Sequence, residues 1–224
     1  MPVYQLEKEP IFPYPHLAEA SGLLAVGGDL SVERLVQAYA HGIFPWYSHG
    51  DPILWWSPDP RMVLYPDRFK ASKSLRRAVK KEQYEVTFDT HFPEVIRACA
   101  NRPREGQDGT WITPEMTNAY IALHEQGFAH SVEVFAQGDL VGGLYGVSLG
   151  KAFFGESMYY TARDASKVAL FHLVDRLQQW EFQLIDAQVE TDHLKQFGAI
   201  NIPREEFLVQ LDEALKSKTI KGKW

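Results

Sequence analysis

Three apolar runs in the second half of the chain decide its fold: Ala-His-Ser-Val-Glu-Val-Phe at 129–135, Leu-Val-Gly-Gly-Leu-Tyr-Gly-Val-Ser at 140–148, and Ala-Phe-Phe-Gly-Glu-Ser-Met-Tyr at 152–159. Each run is rich enough in β-branched and aromatic residues for a strand. The links between them, Gln137-Gly-Asp139 and Gly150-Lys151, are short enough for hairpin turns. The sequence therefore predicts an antiparallel meander of three strands.

Helices and one more strand flank this meander. A helix is predicted to be capped by Thr113 and to end at Gly127. After the meander come a helix over 165–180, a strand over 183–189 and a final helix over 204–215. This order is typical of an α+β fold with a mostly antiparallel sheet. It resembles the acyltransferase superfamily that includes the GCN5-related N-acetyltransferases.

The first part of the chain differs in composition. Residues 1–62 are rich in Gly, Pro and aromatic residues, with one clear helix between Ser31 and Gly42. We expect a small N-terminal α/β domain over 1–62. Over 63–224 we expect a GCN5-related N-acetyltransferase-like domain, in which helices flank a mostly antiparallel sheet.

The charge of the chain is unevenly distributed. The formal net charge is −6 for 224 residues, which taken alone argues against a surface built for nucleic acid. However, the segment from Arg68 to Lys81 carries seven Lys or Arg residues and no acid. A helix near 72–81 would place most of these on one face. The alternative is an ordinary solvated face, but the lack of interspersed acids favours a patch that binds a polyanion.

Several classes of protein are excluded by what the sequence lacks. Cys99 is the single cysteine and the eight histidines lack metal-binding spacing, so we expect no disulfide framework and no metal. There is neither a phosphate-binding loop nor a serine nucleophile elbow. No apolar run is long enough for a membrane span, and no leader pattern is present, so we expect a cytoplasmic protein without a membrane partner.

Two carboxylates within apolar strands indicate chemistry. In Leu-Ile-Asp-Ala-Gln, alternation places Asp186 and Gln188 on one face, and in the last meander run it aligns Phe154, Glu156 and Met158. An acid inside a strand is costly unless it is paired or used. A buried Arg or backbone amides would account for either acid alone. Two such acids, with a Gln close to one of them, favour a polar active site.

Two tryptophans lie in turn-like segments, where a ring is presented rather than packed. Trp46 lies in Phe-Pro-Trp-Tyr at 44–47, and Trp111 in Gly-Thr-Trp-Ile at 109–112. Most tryptophans are core or rim residues. Beside a basic helix, however, such rings suggest base stacking, which contributes about 1–3 kcal/mol per base.

Eight motifs, taken together and in order, resemble the leucyl/phenylalanyl-tRNA–protein transferase family. They extend over nearly the whole chain, from about Tyr4 to Phe207. The motifs are GLLAVGGDLS at 22–31, HGIFPWY at 41–47, LWWSPDPR at 54–61, GTWIT at 109–113, LVGGLYGV at 140–147, GESM at 155–158, DASKVAL at 164–170 and LIDAQV at 184–189.

The resemblance implies transfer of Leu or Phe, and less efficiently Met, from aminoacyl-tRNA to the N-terminal Arg or Lys of a protein. The new peptide bond would mark the acceptor for degradation through the N-degron pathway. The implied partners are Leu-tRNA, Phe-tRNA and acceptor proteins, with the enzyme acting as a monomer. Because an aminoacyl ester is already activated, no cofactor is implied.

The resemblance also implies roles for the matching residues in catalysis. Asp186 orients or polarises Gln188 and helps to receive the proton of the acceptor amine. Gln188 forms hydrogen bonds near the reacting ester. Glu156 holds the terminal adenosine or the cationic acceptor.

The donor-binding residues follow from the same resemblance. Trp46 and Trp111 bracket the terminal adenine, with Tyr39 nearby. The apolar pocket for the transferred side chain is lined by Leu144, Phe153, Met158, Leu170 and Ile185. The acceptor stem is contacted through charge alone by Lys73, Arg77, Lys80 and Lys81.

Two other functions fit parts of the sequence. An acyl-CoA N-acetyltransferase would need a glycine-containing loop for pyrophosphate after the third meander strand, whereas residues 160–165 contain no glycine. A non-catalytic RNA-binding module would need the basic helix and the tryptophan loops. It would not need the carboxylates and the glutamine on the sheet.

Overall fold

The fold is taken from a computed structural model that describes residues 3–81, 83–102 and 110–224. In these ranges the strands are β1 (Tyr4–Leu6), β2 (Leu23–Gly27), β3 (Phe44–Pro45), β4 (Leu54–Trp56), β5 (Arg61–Leu64), β6 (Glu85–Phe88), β7 (Ala129–Ala136), β8 (Asp139–Leu149), β9 (Ala152–Tyr160), β10 (Leu184–Gln188) and β11 (Ile200–Ile202). The α-helices are α1 (Val32–Ala40), α2 (Lys73–Lys80), α3 (Phe92–Asn101), α4 (Pro114–Glu125), α5 (Ala165–Gln179), α6 (Asp192–Lys195) and α7 (Arg204–Leu215).

The strands form two sheets. The smaller sheet has the order β1-β2-β4-β3, and the larger has the order β11-β5-β10-β9-β8-β7-β6. In the larger sheet β9 and β10 run parallel, and every other neighbouring pair among the described residues is antiparallel. The predicted α+β class and the mostly antiparallel sheet are confirmed.

Local sequence signals account for most element boundaries. The three meander strands and the helices predicted over 165–180 and 204–215 lie within one residue of their predicted bounds. Side-chain caps explain where helices begin. The hydroxyls of Ser31, Ser72 and Thr113 accept hydrogen bonds from backbone amides three residues later, at 3.2–3.3 Å, which satisfies donors that a helix leaves unpaired.

Two clusters of buried apolar residues contact the larger sheet. The first cluster includes Tyr39, Trp55, Tyr120, Phe154 and residues of α3 and α7, and it continues into the smaller sheet. The second is built around α5. Because the first cluster joins both sheets, the division between residues 62 and 63 stays a prediction. The chain passes from the smaller sheet to the larger between β4 and β5, and residues 62 and 63 both lie within β5.

Candidate active site

The centre of the larger sheet opens where two parallel strands separate. β9 and β10 are paired at Ala152–Phe154 and Leu184–Asp186, and no later pair is formed between them in the described residues. Residues 155–158 of β9 are partly exposed although β9 is the middle strand of seven. The sheet therefore has a cleft at the carboxyl ends of β9 and β10, the end at which α/β sheets commonly bind ligands.

β-Bulges lie on both sides of this cleft. Between β8 and β9 the register passes from Ser157 to Gly155, so that Glu156 is the extra residue. Between β10 and β5 it passes from Asp186 to Gln188, and Gln188 has a φ of +64°. Such a φ is unusual for a residue with a side chain, and bulges often redirect side chains next to active sites.

The bulge at Glu156 overturns one predicted alignment. Phe154 packs in the first cluster and Met158 packs against the second, so these residues do not share a face. The alternation expected of a regular strand is interrupted by the extra residue. The alignment of Asp186 with Gln188 is confirmed, since both side chains reach partners on the side of the first cluster.

Asp186 forms a buried ion pair. Its oxygens accept hydrogen bonds from Nε and Nη2 of Arg61 at 2.8 and 2.6 Å, and both side chains are inaccessible to solvent. Oδ1 also accepts a bond from the backbone N of Gln188 at 2.8 Å. The remaining Arg61 nitrogen donates to the carbonyl of Gly42 at 3.0 Å. Asp186 thus holds the bulged backbone of Gln188 in place.

Glu156 is surrounded by neutral donors. Oε1 accepts hydrogen bonds from the Tyr39 hydroxyl at 2.7 Å and from Nε2 of Gln188 at 2.8 Å, and Oε2 accepts one from the Tyr120 hydroxyl at 3.1 Å. Burial raises the pKa of Glu156 to about 7, against these three bonds, and the charge of Asp186 adds to the rise. Glu156 is therefore poised to exchange a proton near neutral pH.

The two tyrosines serve as fixed donors. Burial and the charge of Glu156 raise the pKa of Tyr39 and of Tyr120 well above 10, so both hydroxyls keep their protons. The two hydroxyl oxygens also contact each other. Because each hydroxyl carries one proton, a hydrogen bond between them forms only when one tyrosine donates to the other instead of to Glu156. The structure thus brings Tyr39, Glu156, Asp186 and Gln188 together as one network.

Sequence reasoning missed two members of this network, Tyr120 and Arg61. Tyr120 carries no motif and reads as an apolar residue of α4. Arg61 lies at the start of an apolar strand, where a charged side chain indicates a buried partner. The sequence had left open that a buried arginine pairs with one of the two acids, but did not indicate which arginine. The partner of Arg61 lies 125 positions along the chain, beyond the reach of any local pattern.

The residues predicted for the apolar pocket lie on the α5 side of the sheet. Leu144, Phe153, Leu170 and Ile185 are buried in the second cluster, and Met158 is partly exposed beside it. Leu144 is the cross-strand partner of Met158, and Phe153 that of Ile185. They form an apolar wall whose accessible member, Met158, follows Glu156 by two residues.

The loops that carry the two predicted stacking rings meet. The Tyr47 hydroxyl lies 3.4 Å from Oγ1 of Thr113, next to a surface groove of about 610 Å³ that both residues line. Trp46 is 38% exposed and its ring lies 5.9 Å from that of Trp56. Trp111 is partly buried, and Gly109 of its motif lies outside the described residues.

The basic helix is confirmed as α2. Leu75 is buried on its inner side, whereas Lys73, Arg77, Lys80 and Lys81 are exposed. Within the described ranges none of these four forms an ion pair with a carboxylate. Over the described part of the chain, α2 therefore presents a positive surface whose cations have no paired carboxylate.

Among the residues described, no three His, Cys, Asp or Glu side chains are grouped so as to hold a metal ion. The described helices include none with the length and apolar character needed to cross a membrane.

Comparison with known proteins identifies the family. The model of the leucyl/phenylalanyl-tRNA protein transferase family matches residues 63–212, and that of its N-terminal domain matches residues 28–59. The chain belongs to this family. It is accordingly an aminoacyltransferase, and the resemblance inferred from the eight motifs is confirmed.

Curated relatives agree over the full length. The leucyl/phenylalanyl-tRNA–protein transferase of Myxococcus xanthus is 60% identical, with 100% of this chain and 97% of the relative covered. That of an Anaeromyxobacter species is 58% identical, with 100% and 95% covered.

Likeness to solved structures is weak. L-PGS from Bacillus licheniformis has a TM-score of 0.42 at 11% identity, covering 90% of this chain and 66% of that one. A GCN5-related N-acetyltransferase from Kribbella flavida has a TM-score of 0.40 at 11% identity, covering 74% and 59%.

Proposed function

We propose that the enzyme transfers Leu or Phe, and less efficiently Met, from aminoacyl-tRNA to the N-terminal Arg or Lys of a protein. The observation that carries the proposal is the half-buried Glu156, with a pKa of about 7, at the mouth of the cleft. An acceptor α-amine has an ordinary pKa of about 7.7–8 and must lose a proton to attack. A base whose pKa lies near neutral suits that task.

The reaction is an aminolysis of an ester. The neutral amine nitrogen attacks the ester carbonyl carbon, a C–N bond forms, and the bond from that carbon to the ribose oxygen breaks. The nitrogen gives up one proton and the ribose oxygen gains one. Before the attack, Glu156 takes the extra proton of the ammonium form, which makes the amine neutral, and later releases that proton to solvent. Positioning of the two reactants supplies much of the rate.

Asp186 and Gln188 have different tasks in this scheme. Both oxygens of Asp186 are held by Arg61, so accepting a proton would disrupt a buried ion pair. Of the two tasks that the resemblance implies for Asp186, the structure favours orienting Gln188 over receiving the proton. The Gln188 amide, fixed by its backbone and by Glu156, remains close to where the ester would lie.

The donor is bound by residues around the cleft. The wall of Leu144, Phe153, Met158, Leu170 and Ile185 takes the transferred side chain, because an apolar pocket gains from burying Leu or Phe. Trp46 and Trp111, with Tyr39 nearby, hold the terminal adenine. The exposed cations of α2, namely Lys73, Arg77, Lys80 and Lys81, contact the acceptor stem of Leu-tRNA or Phe-tRNA.

The cellular role follows from the product. We infer that the enzyme acts as a cytoplasmic monomer and that the added Leu or Phe marks the acceptor for N-degron-dependent degradation. A pulse-chase measurement of a reporter beginning with Arg, in cells with and without the enzyme, tests this role. Equal half-lives would contradict it.

Transfer of label tests the reaction. The enzyme is incubated with [14C]Phe-tRNA and a peptide that begins with Arg, alongside a matched peptide that begins with Ala. We expect label in the Arg peptide alone. Absence of transfer would leave a non-catalytic RNA-binding module, and equal transfer from labelled acetyl-CoA would indicate an N-acetyltransferase.

Salt dependence tests the basic helix. Replacing Lys80 and Lys81 by Ala is expected to lower the slope of log affinity for tRNA against log salt by about 0.9 for each phosphate that the variant no longer neutralises. An exposed lysine away from α2, Lys8, gives the matched control Lys8→Ala. An unchanged slope in the double variant would place tRNA elsewhere.

A further inference from the structure

A group of basic side chains, three of them permanently charged, surrounds the ends of the diverging strands and takes no part in the chemistry above. Arg102 follows α3, Arg163 and Lys167 lie at the start of α5, and His193 lies in α6. α5 follows β9 and α6 follows β10, so these residues stand where the cleft opens. We refer to these four residues as the cationic rim.

The members of the cationic rim converge from three helices. The Arg102 guanidinium carbon lies 4.4 Å from the centre of the ring of Tyr160, the last residue of β9. Burial, and then the charges of Lys167 and Arg102, lower the pKa of His193. His193 Nε2 is buried and has no hydrogen-bond partner in the described part of the chain. Residues far apart in sequence thus share one positive region.

Among the residues that the structure describes, the cationic rim is only partly neutralised. Asp164 pairs with Lys167 at 2.9 Å and with Arg163 at 3.7 Å, so one carboxylate serves two cations while Arg102 stacks on a neutral ring. The acids that closely precede His193 in the sequence, Glu190 and Asp192, are both paired with Lys195. An excess of positive charge at a cleft mouth attracts an anionic ligand.

An exposed aromatic ring lies beside the cationic rim, in contact with Arg102. Tyr160 is 47% exposed. Positive side chains beside an exposed aromatic ring are features by which proteins bind single-stranded nucleic acid.

We propose that Arg102, Tyr160 and Lys167 bind the unpaired nucleotides that precede the aminoacylated adenosine of the donor, the cations contacting phosphodiesters and the ring stacking on a base. The proposal rests on the proposed function. At a strand rise of about 3.3 Å per residue, Tyr160 lies about 13 Å from Glu156. A ligand group at the cationic rim therefore belongs to the nucleotide chain that leads to the ester.

Two short analogues of the aminoacyl-tRNA donor, which differ in whether they contain phosphodiesters, test this contact. Phenylalanyl-adenosine has no phosphodiester, whereas the trinucleotide CCA carrying Phe has two. We expect the wild-type enzyme to have a higher kcat/KM with the trinucleotide. Arg102→Gln and Lys167→Gln should each lower the ratio of the two kcat/KM values about threefold to fivefold. Each should also lower the salt slope of trinucleotide binding by about 0.7.

Matched variants make the result decisive. Lys218 is exposed and lies in the segment after α7, so Lys218→Gln loses the same charge and should keep the ratio. Arg102→Lys, which keeps the charge, should retain most of it. Tyr160→Leu should lower the ratio about tenfold, as expected for loss of one stacked base.

The possible outcomes distinguish the two proposals. A wild-type enzyme without preference for the trinucleotide, or an unchanged ratio in both Gln variants, overturns the role of the cationic rim. A wild-type enzyme that transfers Phe from neither short analogue nor from Phe-tRNA overturns the proposed function instead.

Discussion

The two carboxylates of the site lie on neighbouring strands, and their surroundings are opposite in kind. Asp186 is fully buried and paired with the Arg61 guanidinium. Glu156 is half-buried, and the donors that reach it are two tyrosine hydroxyls and an amide. A paired carboxylate holds structure, whereas one kept near its neutral form can exchange a proton. The difference separates the anchor of the site from its base.

Removing the charge of Asp186 should have the largest effect, because it leaves half of a buried ion pair. Asp186→Asn leaves the Arg61 guanidinium buried without its counter-charge, which costs about 3–5 kcal/mol. We expect the free energy of unfolding, measured by urea denaturation, to fall by this amount, and transfer to fall with it.

A double variant supplies the control for the ion pair. Arg61→Met combined with Asp186→Leu removes both charges and is expected to recover most of the stability, without recovering transfer. If Asp186→Asn were as stable as the wild-type protein, Asp186 would not be the anchor.

Neutralising Glu156 should affect chemistry more than fold. Glu156→Gln keeps the size of the side chain but cannot accept a proton, so kcat/KM with Phe-tRNA at pH 7.5 is expected to fall by about 10²-fold or more. Glu125→Gln, at the exposed end of α4, is the matched control. Near wild-type transfer by Glu156→Gln would remove Glu156 as the base.

The hydrogen bond from the Tyr120 hydroxyl should lower the pKa of Glu156. Wild-type kcat/KM is expected to rise with pH through about 7 as Glu156 loses its proton. The Tyr120 hydroxyl stabilises the carboxylate, so Tyr120→Phe raises the pKa further and moves the acidic limb to higher pH by about one unit. The acceptor amine is unaffected by this substitution, and an unmoved limb would assign the ionisation to the amine.

The smallest expected effect is the change with pH in the free energy of unfolding that Glu156 causes. The pKa of Glu156 is raised from 4.5 to about 7 in the folded protein, which therefore binds a proton more tightly than the unfolded chain does. Its contribution to the free energy of unfolding falls as pH rises from about 4.5 to 7. Relative to Glu156→Gln, we expect the wild-type protein to lose about 1–2 kcal/mol between pH 5 and 8, since solvent contact reduces the full effect. If the difference in free energy of unfolding between the wild-type protein and Glu156→Gln did not change with pH, the raised pKa of Glu156 would be contradicted.

Much of the fold was predictable because its signals are local. Turn residues between apolar runs defined the meander, and capping hydroxyls at Ser31, Ser72 and Thr113 marked helix starts. The face shared by Asp186 and Gln188 agreed with the predicted alternation, although the bulge between them was not predicted. The predicted alignment of Phe154 with Met158 was wrong, because the bulge at Glu156 depends on how β8 pairs with β9.

The sequence by itself determined the elements, the basic helix and the candidate residues, since each depends on neighbours within a few positions. The tertiary structure alone decided which acid anchors the site and which can titrate. That outcome depends on contacts of Asp186 with Arg61, and of Glu156 with Tyr39 and Tyr120, between residues 36 to 125 positions apart. A pKa depends on burial and on nearby charges and donors, and these exist once the sheet has formed.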